Sequence, residues 1–254
     1  IGNNSEVYGG SYNTRIDYND IFYGEYGIVG FHSKRPTQNG GMTQSGAFLR
    51  TTQGFKYEVY KSNKMSIQTF GELHGKVAVY CAAEGSDKCG VNGDFNVDSQ
   101  VGVAADYITG PLLHRTSLVA HLQFDQAHAS NGKAPGIILP ALKLSHDTYF
   151  TVSPKVKGVI GGGVTLYNLG TGVYGTYDSR LGVDIKHGES KDPVSKVGNA
   201  TSLFVESYGR ITDDTPVFLP GAMREVAVAA RHNFMDGRFY VGAQGKHSFD
   251  FPSG

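Results

Sequence analysis

A histidine and a serine two positions apart form the most chemically suggestive pair in this sequence. His128 and Ser130 stand in the run His128-Ala129-Ser130-Asn131-Gly132. Residues i and i+2 of an extended strand share a face, so the imidazole of His128 can take the hydroxyl proton of Ser130 and create a nucleophile. The pair therefore predicts acyl-transfer chemistry. The alternative is an ordinary loop start, where small polar residues meet water at a strand end.

A second candidate site is the acidic run around Asp94, Asn96 and Asp98. These residues have the 1-3-5 spacing of the oxygen ligands in a calcium-binding loop. Ser99 stands where such loops have their turn glycine, and no glutamate occupies the twelfth position. The run is therefore either a weak calcium site or a plain acidic loop, and we expect no other cofactor.

Three successive glycines, Gly161 to Gly163, could suggest a phosphate-binding loop. They lack the lysine and the Ser/Thr that complete such a loop. Because they lie inside an alternating strand pattern, we expect them to mark a bulge or a bend in a curved sheet.

The two cysteines of the chain, Cys81 and Cys89, close a short loop. Two cysteines so near each other, with no others in the chain, favour a disulfide in an oxidising compartment over a metal site. The sequence opens at Ile1 without a basic and apolar leader, which we interpret as a mature form after signal-peptide removal or as an excised domain. Both observations favour a periplasmic or surface location.

The elements that carry these residues are predicted to be β-strands, because apolar and polar residues alternate with a period of two. In Met65–Tyr80 the odd positions are apolar or small, and the even positions include Glu72, His74 and Lys76. We find no convincing helix and count about ten strands, or up to twelve if Ser5–Asp20 contributes one or two. The other predicted strands are Ile21–Ser33, Ser45–Tyr60, Val97–Ile108, Thr116–His128, His146–Tyr167, Val173–Lys186, Arg224–Phe234 and Arg238–Phe251.

Composition excludes several classes of protein. Lys plus Arg and Asp plus Glu number 23 each, so no basic surplus indicates a nucleic-acid partner. The 35 glycines, 15 tyrosines and 14 phenylalanines suit many strands with aromatic girdles and do not suit disorder. No apolar run approaches the ~20 residues of a membrane helix. The 254 residues are expected to form a single domain, 1–254.

The connections between the predicted strands alternate between long and short. The long ones are Lys34–Gln44, Cys81–Asn96, Ala129–Ser145 and His187–Ala200, and the short ones are Lys61–Lys64, Thr109–Arg115 and Asn168–Gly172. Outer-membrane barrels have long outer loops and short periplasmic turns. We therefore predict an all-β, antiparallel up-and-down transmembrane β-barrel of about 10–12 strands in the bacterial outer membrane. On this count the chain starts and ends on the short-turn side.

A soluble β-sandwich or soluble barrel is the alternative fold, since it alternates in the same way. The absence of Trp favours this alternative, because interfacial belts of membrane barrels usually contain some. The length of the predicted strands opposes a sandwich, whose strands typically run about 5–6 residues.

In a membrane barrel the polar face of each strand lines the lumen. Mixed charges in a narrow interior either pair into a hydrated plug or leave a thin polar pathway for a small solute. The residues predicted to line the lumen are Glu72, His74, Lys76, Asp98, Asp106, His121, Asp125, Asp178, Arg180, Asp184 and Lys186.

The run from His128 to Gly132 also resembles the His-x-Ser-Asn signature of two outer-membrane barrel enzyme families, outer-membrane phospholipase A and the lipid A 3-O-deacylases. The resemblance implies that His128 is the general base and Ser130 the nucleophile, and it brings Asn131 into the candidate site. His128 and Ser130 continue the outward row of the preceding strand, which would place them against lipid or lipopolysaccharide at the strand's outer end.

One part of that signature has no counterpart here. The residue that orients the histidine is expected some twelve to fourteen positions further on, where Pro140, Ala141 and Leu142 stand. His146 falls on the outward parity and Asp147 on the inward one, so neither is a convincing orienting group.

Three functions therefore compete. The first is a narrow transport or channel barrel for small polar solutes. The second is a serine-type lipid acyl hydrolase. The third is a surface adhesin or an autotransporter translocator barrel, for which no passenger is visible in the sequence.

Overall fold

The computed structural model describes residues 3–37, 40–83, 95–125, 137–188, 199–216, 219, 221–234 and 239–249. They form twelve strands: β1 Asn3–Asp17, β2 Phe22–Thr37, β3 Gly40–Lys61, β4 Met65–Ala83, β5 Phe95–Thr109, β6 Leu112–Asp125, β7 Ile137–Ser153, β8 Val156–Asn168, β9 Val173–Lys186, β10 Ala200–Arg210, β11 Glu225–Phe234 and β12 Phe239–Ser248.

Every strand pairs antiparallel with its neighbours in the sequence, and β1 pairs with β12, so the sheet closes into a barrel. Closure leaves no free strand edge, because each backbone N–H and C=O along the ring faces a partner strand. The prediction of an all-β up-and-down barrel is confirmed. In the described part of the chain, no helix is long and apolar enough to cross a membrane.

The outer surface of the barrel is apolar and the interior is polar. Large aliphatic side chains on the outward face are about half exposed, such as Leu144 at 55% and Leu181 at 53%. Polar inward side chains such as Gln68 and Thr176 are buried. A soluble barrel has the reverse arrangement, with apolar residues inside. The barrel therefore has the pattern of a membrane-spanning β-barrel.

The two ends of the barrel differ. At one end, here called the turn end, lie the connections 18–21, 62–64, 110–111, 154–155, 187–199 and 235–238. At the opposite end, the terminal end, lie 38–39, 84–94, 126–136, 169–172 and 211–224, together with the start of β1 and the end of β12. Exposed Tyr and Phe side chains lie around the turn end, where the interfacial belts of membrane barrels usually contain Trp. They are Tyr18, Phe22, Tyr26, Tyr57, Tyr60 and Tyr107.

One predicted strand is wrong. The segment His146–Tyr167 is not continuous, because Pro154 and Lys155 form a two-residue turn between β7 and β8. This turn, together with the register shift at Thr151/Ser153, keeps the apolar residues on one parity, so the alternation shows no break. β7 also begins at Ile137, inside the connection predicted for Ala129–Ser145.

The missed turn reverses the sidedness predicted for the rest of the chain. The connection 187–199 lies at the turn end, opposite 84–94 and 126–136. The prediction that the chain starts and ends on the short-turn side is therefore wrong, because β1 begins and β12 ends beside 84–94 and 126–136.

Candidate functional site

The lumen brings together side chains from all parts of the chain. The structure places Glu72, His74, Lys76, Asp98, Asp106, His121, Asp178, Arg180, Asp184 and Lys186 on the inward face of β4, β5, β6 and β9. Lys186 is the last residue of β9 and is exposed at the turn end. Asp125 is the last residue of β6, and its side chain lies outside the described residues.

A hydrogen-bonded cluster fills the wall formed by β2 to β5. We call it the Glu72 network; it consists of Tyr23, Thr52, Glu72, His74 and Gln100. The phenol of Tyr23 and the amide of Gln100 both donate to the Glu72 carboxylate. His74 places Nε2 3.0 Å from Glu72 and Nδ1 2.9 Å from the hydroxyl of Thr52. Each polar group of the network therefore has a hydrogen-bond partner, which is the usual condition for burial. Tyr23 and Thr52 are buried.

A second polar contact lies nearer the turn end. The guanidinium of Arg115 binds Asp106 through two hydrogen bonds of 2.7 Å, and Gln68 donates to the same carboxylate at 3.4 Å. Bidentate pairing of this kind fixes both side chains in one geometry. It ties β4, β5 and β6 together inside the lumen.

The wall formed by β7, β8 and β9 has a different construction. Two ion pairs reach from β7 to β9 across the intervening strand: Lys143 to Asp178 at 2.7 Å, and Asp147 to Arg180 at 2.8 Å. They cross β8 at its glycine run, where Gly163 pairs with Asp178 and Gly161 with Arg180. A Cβ on Gly161 would collide with the Asp147 carboxylate.

Of the expected bulge or bend at Gly161–Gly163, the bulge is absent. β8 keeps an unbroken register with both neighbours through these residues. The inward glycines lack side chains and so form a flat floor, which leaves room above it for the two ion pairs. We call the two inward glycines, Gly161 and Gly163, the glycine floor.

A cavity of about 480 Å³ opens above the glycine floor. Its charged lining holds four carboxylates against two permanent cations, Lys143 and Arg180. The lining side chains that can carry charge are Asp98, His121, Lys143, Asp147, Asp178, Arg180 and Glu206, joined by the phenols of Tyr167 and Tyr208.

The ion pairs neutralise only two of the four carboxylates. Asp147 and Asp178 have the cations Arg180 and Lys143 as partners. Asp98 lies 3.6 Å from Nδ1 of His121, too far for a hydrogen bond, and its Oδ1 is buried without a hydrogen-bond partner. Glu206 accepts a hydrogen bond of 2.6 Å from Tyr208. The cavity therefore has a surplus of negative charge.

The connection 211–224 covers this cavity at the terminal end. Leu219 and Ala222 are almost fully buried and pack against Leu139 of β7 and Tyr167 of β8. Both strand residues also line the cavity. Arg224 forms an ion pair with Asp213 within the same connection. We call the cluster of Leu139, Tyr167, Leu219 and Ala222 the apolar cap.

The predicted calcium ligands do not form a described site. Asp94 and the side chain of Asn96 lie outside the described residues, and Asp98 lies in the lumen opposite His74 and Gln123. Within the part of the chain that the structure describes, no group of three or more His, Cys, Asp or Glu residues could hold a metal ion.

The candidate catalytic residues His128, Ser130 and Asn131 lie outside the described residues, beyond the end of β6 at the terminal end. His146 lies opposite Thr116, closer to the start of β6, and Asp147 binds Arg180 inside the lumen. The disulfide between Cys81 and Cys89 stays a prediction, because Cys89 lies outside the described residues. Cys81 lies opposite Gly46 in the backbone register.

Several residues of the lumen were missed by the sequence analysis. Gln100 and Arg115 share the inward parity of the predicted residues on their strands, so parity alone identifies them. Lys143 was missed because it lies in the connection predicted for Ala129–Ser145, although β7 begins at Ile137. Asp147 has the predicted inward parity but was not included among the lumen-lining residues. Glu206 lies on β10, for which no alternating pattern was specified.

Comparison with known proteins yields only distant structural likeness. No family model and no curated protein matches the chain. Among solved structures, CdiB from Escherichia coli is similar with a TM-score of 0.46 and 9% identity, over 97% of this chain and 63% of that one. CdiB from Acinetobacter baumannii gives a TM-score of 0.43 with 9% identity, over 98% and 60%.

The Pseudomonas putida toluene transporter TodX is similar with a TM-score of 0.38 and 11% identity, over 98% of this chain and 90% of that one. The chain spans about three fifths of the length of the two CdiB proteins. Likeness at this distance carries no information about a solute or an activity, so the functional inference has to come from the lumen itself.

Proposed function

We propose that this protein is a barrel of the bacterial outer membrane through which small polar solutes pass. The observation that carries the proposal is the polar cavity of about 480 Å³ inside the lumen. A cavity of this size lies within the range of small-molecule sites, roughly 300–1,000 Å³. Two carboxylates of its lining, Asp98 and Glu206, form no ion pair with a lysine or arginine of that lining, which favours an open polar route over a plug of paired charges.

The arrangement of lumen side chains supports a narrow route along one wall. The Glu72 network occupies the β2–β5 side of the interior, whereas the glycine floor leaves the β7–β9 side open. A solute would therefore pass between the ion pairs of β7 and β9 and the opposite wall. The apolar cap restricts this route at the terminal end.

Planar bilayer recordings test the proposal. We expect the purified full chain to give discrete single-channel conductance steps, and vesicles containing it to swell in small sugars. Complete absence of both, with a protein that migrates on gels as a folded, heat-modifiable barrel, would overturn the proposed passage of solutes.

A lipid acyl hydrolase is the second candidate. Its support is the His128–Ser130 motif together with the parity of β6, on which Leu118 and Leu122 are about half exposed on the outer face. The motif continues that row beyond Asp125. We expect fatty-acid release from phospholipid or lipopolysaccharide to vanish in Ser130→Ala. A Ser130→Ala variant that still released fatty acid would eliminate this candidate.

A further inference from the structure

The cavity has a charge surplus that identifies a class of solute. Ion pairs within the cavity neutralise Asp147 and Asp178. Among the described residues, neither Asp98 nor Glu206 forms such an ion pair with a lysine or arginine. Asp98 lies 3.6 Å from His121 and opposite His74. Glu206 lies opposite Arg180 in the β9–β10 register but accepts its hydrogen bond from the phenol of Tyr208. A bound cation would supply the counter-charge that these two carboxylates do not receive from a bound lysine or arginine.

The two unneutralised carboxylates face each other across the lumen. Asp98 belongs to β5 and Glu206 to β10, five strands away in a ring of twelve, so they stand on nearly opposite walls. Both line the same cavity. A solute in the middle of the lumen therefore meets negative charge on two sides.

The remaining lining suits a nitrogen cation better than a metal ion. Tyr167 and Tyr208 add aromatic rings to the cavity wall, and rings of this kind attract ammonium and guanidinium groups. The ammonium of Lys246 lies 5.7 Å from the centroid of the Tyr208 ring. Lys143 and Arg180 are held against their carboxylate partners and are not free to bind an anion. The cavity of about 480 Å³ also exceeds the space that a single dehydrated metal ion needs.

We infer that the lumen cavity selects solutes that carry a positively charged nitrogen, an ammonium or guanidinium group, through Asp98 and Glu206. This inference rests on the proposed passage of solutes and names the class of solute that passes. Anionic and neutral solutes of similar size would be disfavoured.

Ion selectivity in planar bilayers tests the inference. In a KCl gradient we expect the reversal potential to show preference for K⁺ over Cl⁻, and methylguanidinium to block the K⁺ current. Asp98→Asn and Glu206→Gln should each lower the K⁺/Cl⁻ permeability ratio by roughly threefold, because each removes one unit charge from the route. Asp214→Asn, which removes a charge from the exposed part of the connection 211–224, is the matched control and should change neither value.

The possible outcomes separate the two proposals. Conductance without cation preference, or a preference that survives the double variant, would overturn the selectivity and leave the passage of solutes intact. If neither the unmodified protein nor any variant conducts, the proposed passage of solutes is wrong. Saturation-transfer NMR of methylguanidinium with the folded protein in micelles then tests whether the cavity binds the cation. Binding that is lost in the double variant would support the site, and absence of binding in the unmodified chain would overturn it.

Discussion

The two walls of the lumen differ in how far their inward side chains extend into the barrel interior. On the β2–β5 wall, the side chains of the Glu72 network hydrogen-bond to one another in the lumen, and a polar cavity of about 410 Å³ lies between them and the turn end. On the β7–β9 wall, the glycine floor removes side chains from the middle strand and leaves a cavity. Both walls obey the same alternation of inward and outward residues. The identity of the inward residue, whether glycine or a long polar side chain, decides whether the lumen is closed or open at that point.

The comparison also shows two uses of buried charge. In the Glu72 network each described polar group has a partner, which is the usual condition for a stable polar core. In the cavity, neither Asp98 nor Glu206 forms an ion pair with a lysine or arginine of the described lining. We therefore expect the first wall to contribute to stability and, under the proposed function, the second wall to select the solute.

Filling the glycine floor should have the largest effect on passage. Gly161→Val places a branched side chain against Asp147 and should narrow the route, so that single-channel conductance falls roughly tenfold, since pore dimensions govern conduction. Gly245→Val on β12 is the control, because an added Cβ there meets nothing within 4 Å. Equal loss of conductance in both variants would contradict the assignment of the cavity as the route.

Removing the centre of the Glu72 network should instead have the largest effect on stability. Glu72→Leu leaves Tyr23, His74 and Gln100 without their acceptor, which we expect to lower the free energy of unfolding by about 3 kcal/mol. Urea unfolding in lipid vesicles measures the change. Glu58→Leu is the matched control: its carboxylate forms an exposed pair with Lys61 at 3.2 Å, and its loss should cost less than about 1 kcal/mol. A similar loss for both glutamates would show that the network is not the stabilising wall.

Weakening the apolar cap should affect both properties moderately. Leu219 is almost fully buried, so Leu219→Ala should cost about 2 kcal/mol and raise conductance by loosening the cap over the cavity. Met223→Ala, at an exposed position of the same connection, should change neither. An unchanged conductance in Leu219→Ala would place the restriction of the route elsewhere.

The smallest effect is expected from a single donor of the network. Tyr23→Phe removes only the hydroxyl that donates to Glu72, and the carboxylate keeps its contacts with His74 and Gln100. We expect a loss of about 1 kcal/mol in the free energy of unfolding, with unchanged conductance. A loss as large as that of Glu72→Leu would mean that Tyr23, and not the carboxylate, is the centre of the network.

The sequence by itself was sufficient for the class of fold. Alternation with a period of two is a local property, so it predicted strands such as Val173–Lys186 with the bounds that β9 has in the structure. It also assigned the inward parity on β4, β5 and β9, because a strand places every second residue on the same face. Local alternation failed at Pro154–Lys155, since the change of parity at the two-residue turn is cancelled by the register shift at Thr151/Ser153.

Only the tertiary structure decided which inward residues meet. The ion pair from Asp147 to Arg180 depends on the register of three strands and on Gly161 between them, and no local pattern contains that register. The same holds for the cap, in which Leu219 reaches Leu139 from eighty positions further along the chain. Alternation fixes the direction in which a side chain points, whereas strand register and barrel closure decide what it faces across the lumen. For this reason the charged rows could be predicted from the sequence, and the cavity between them could not.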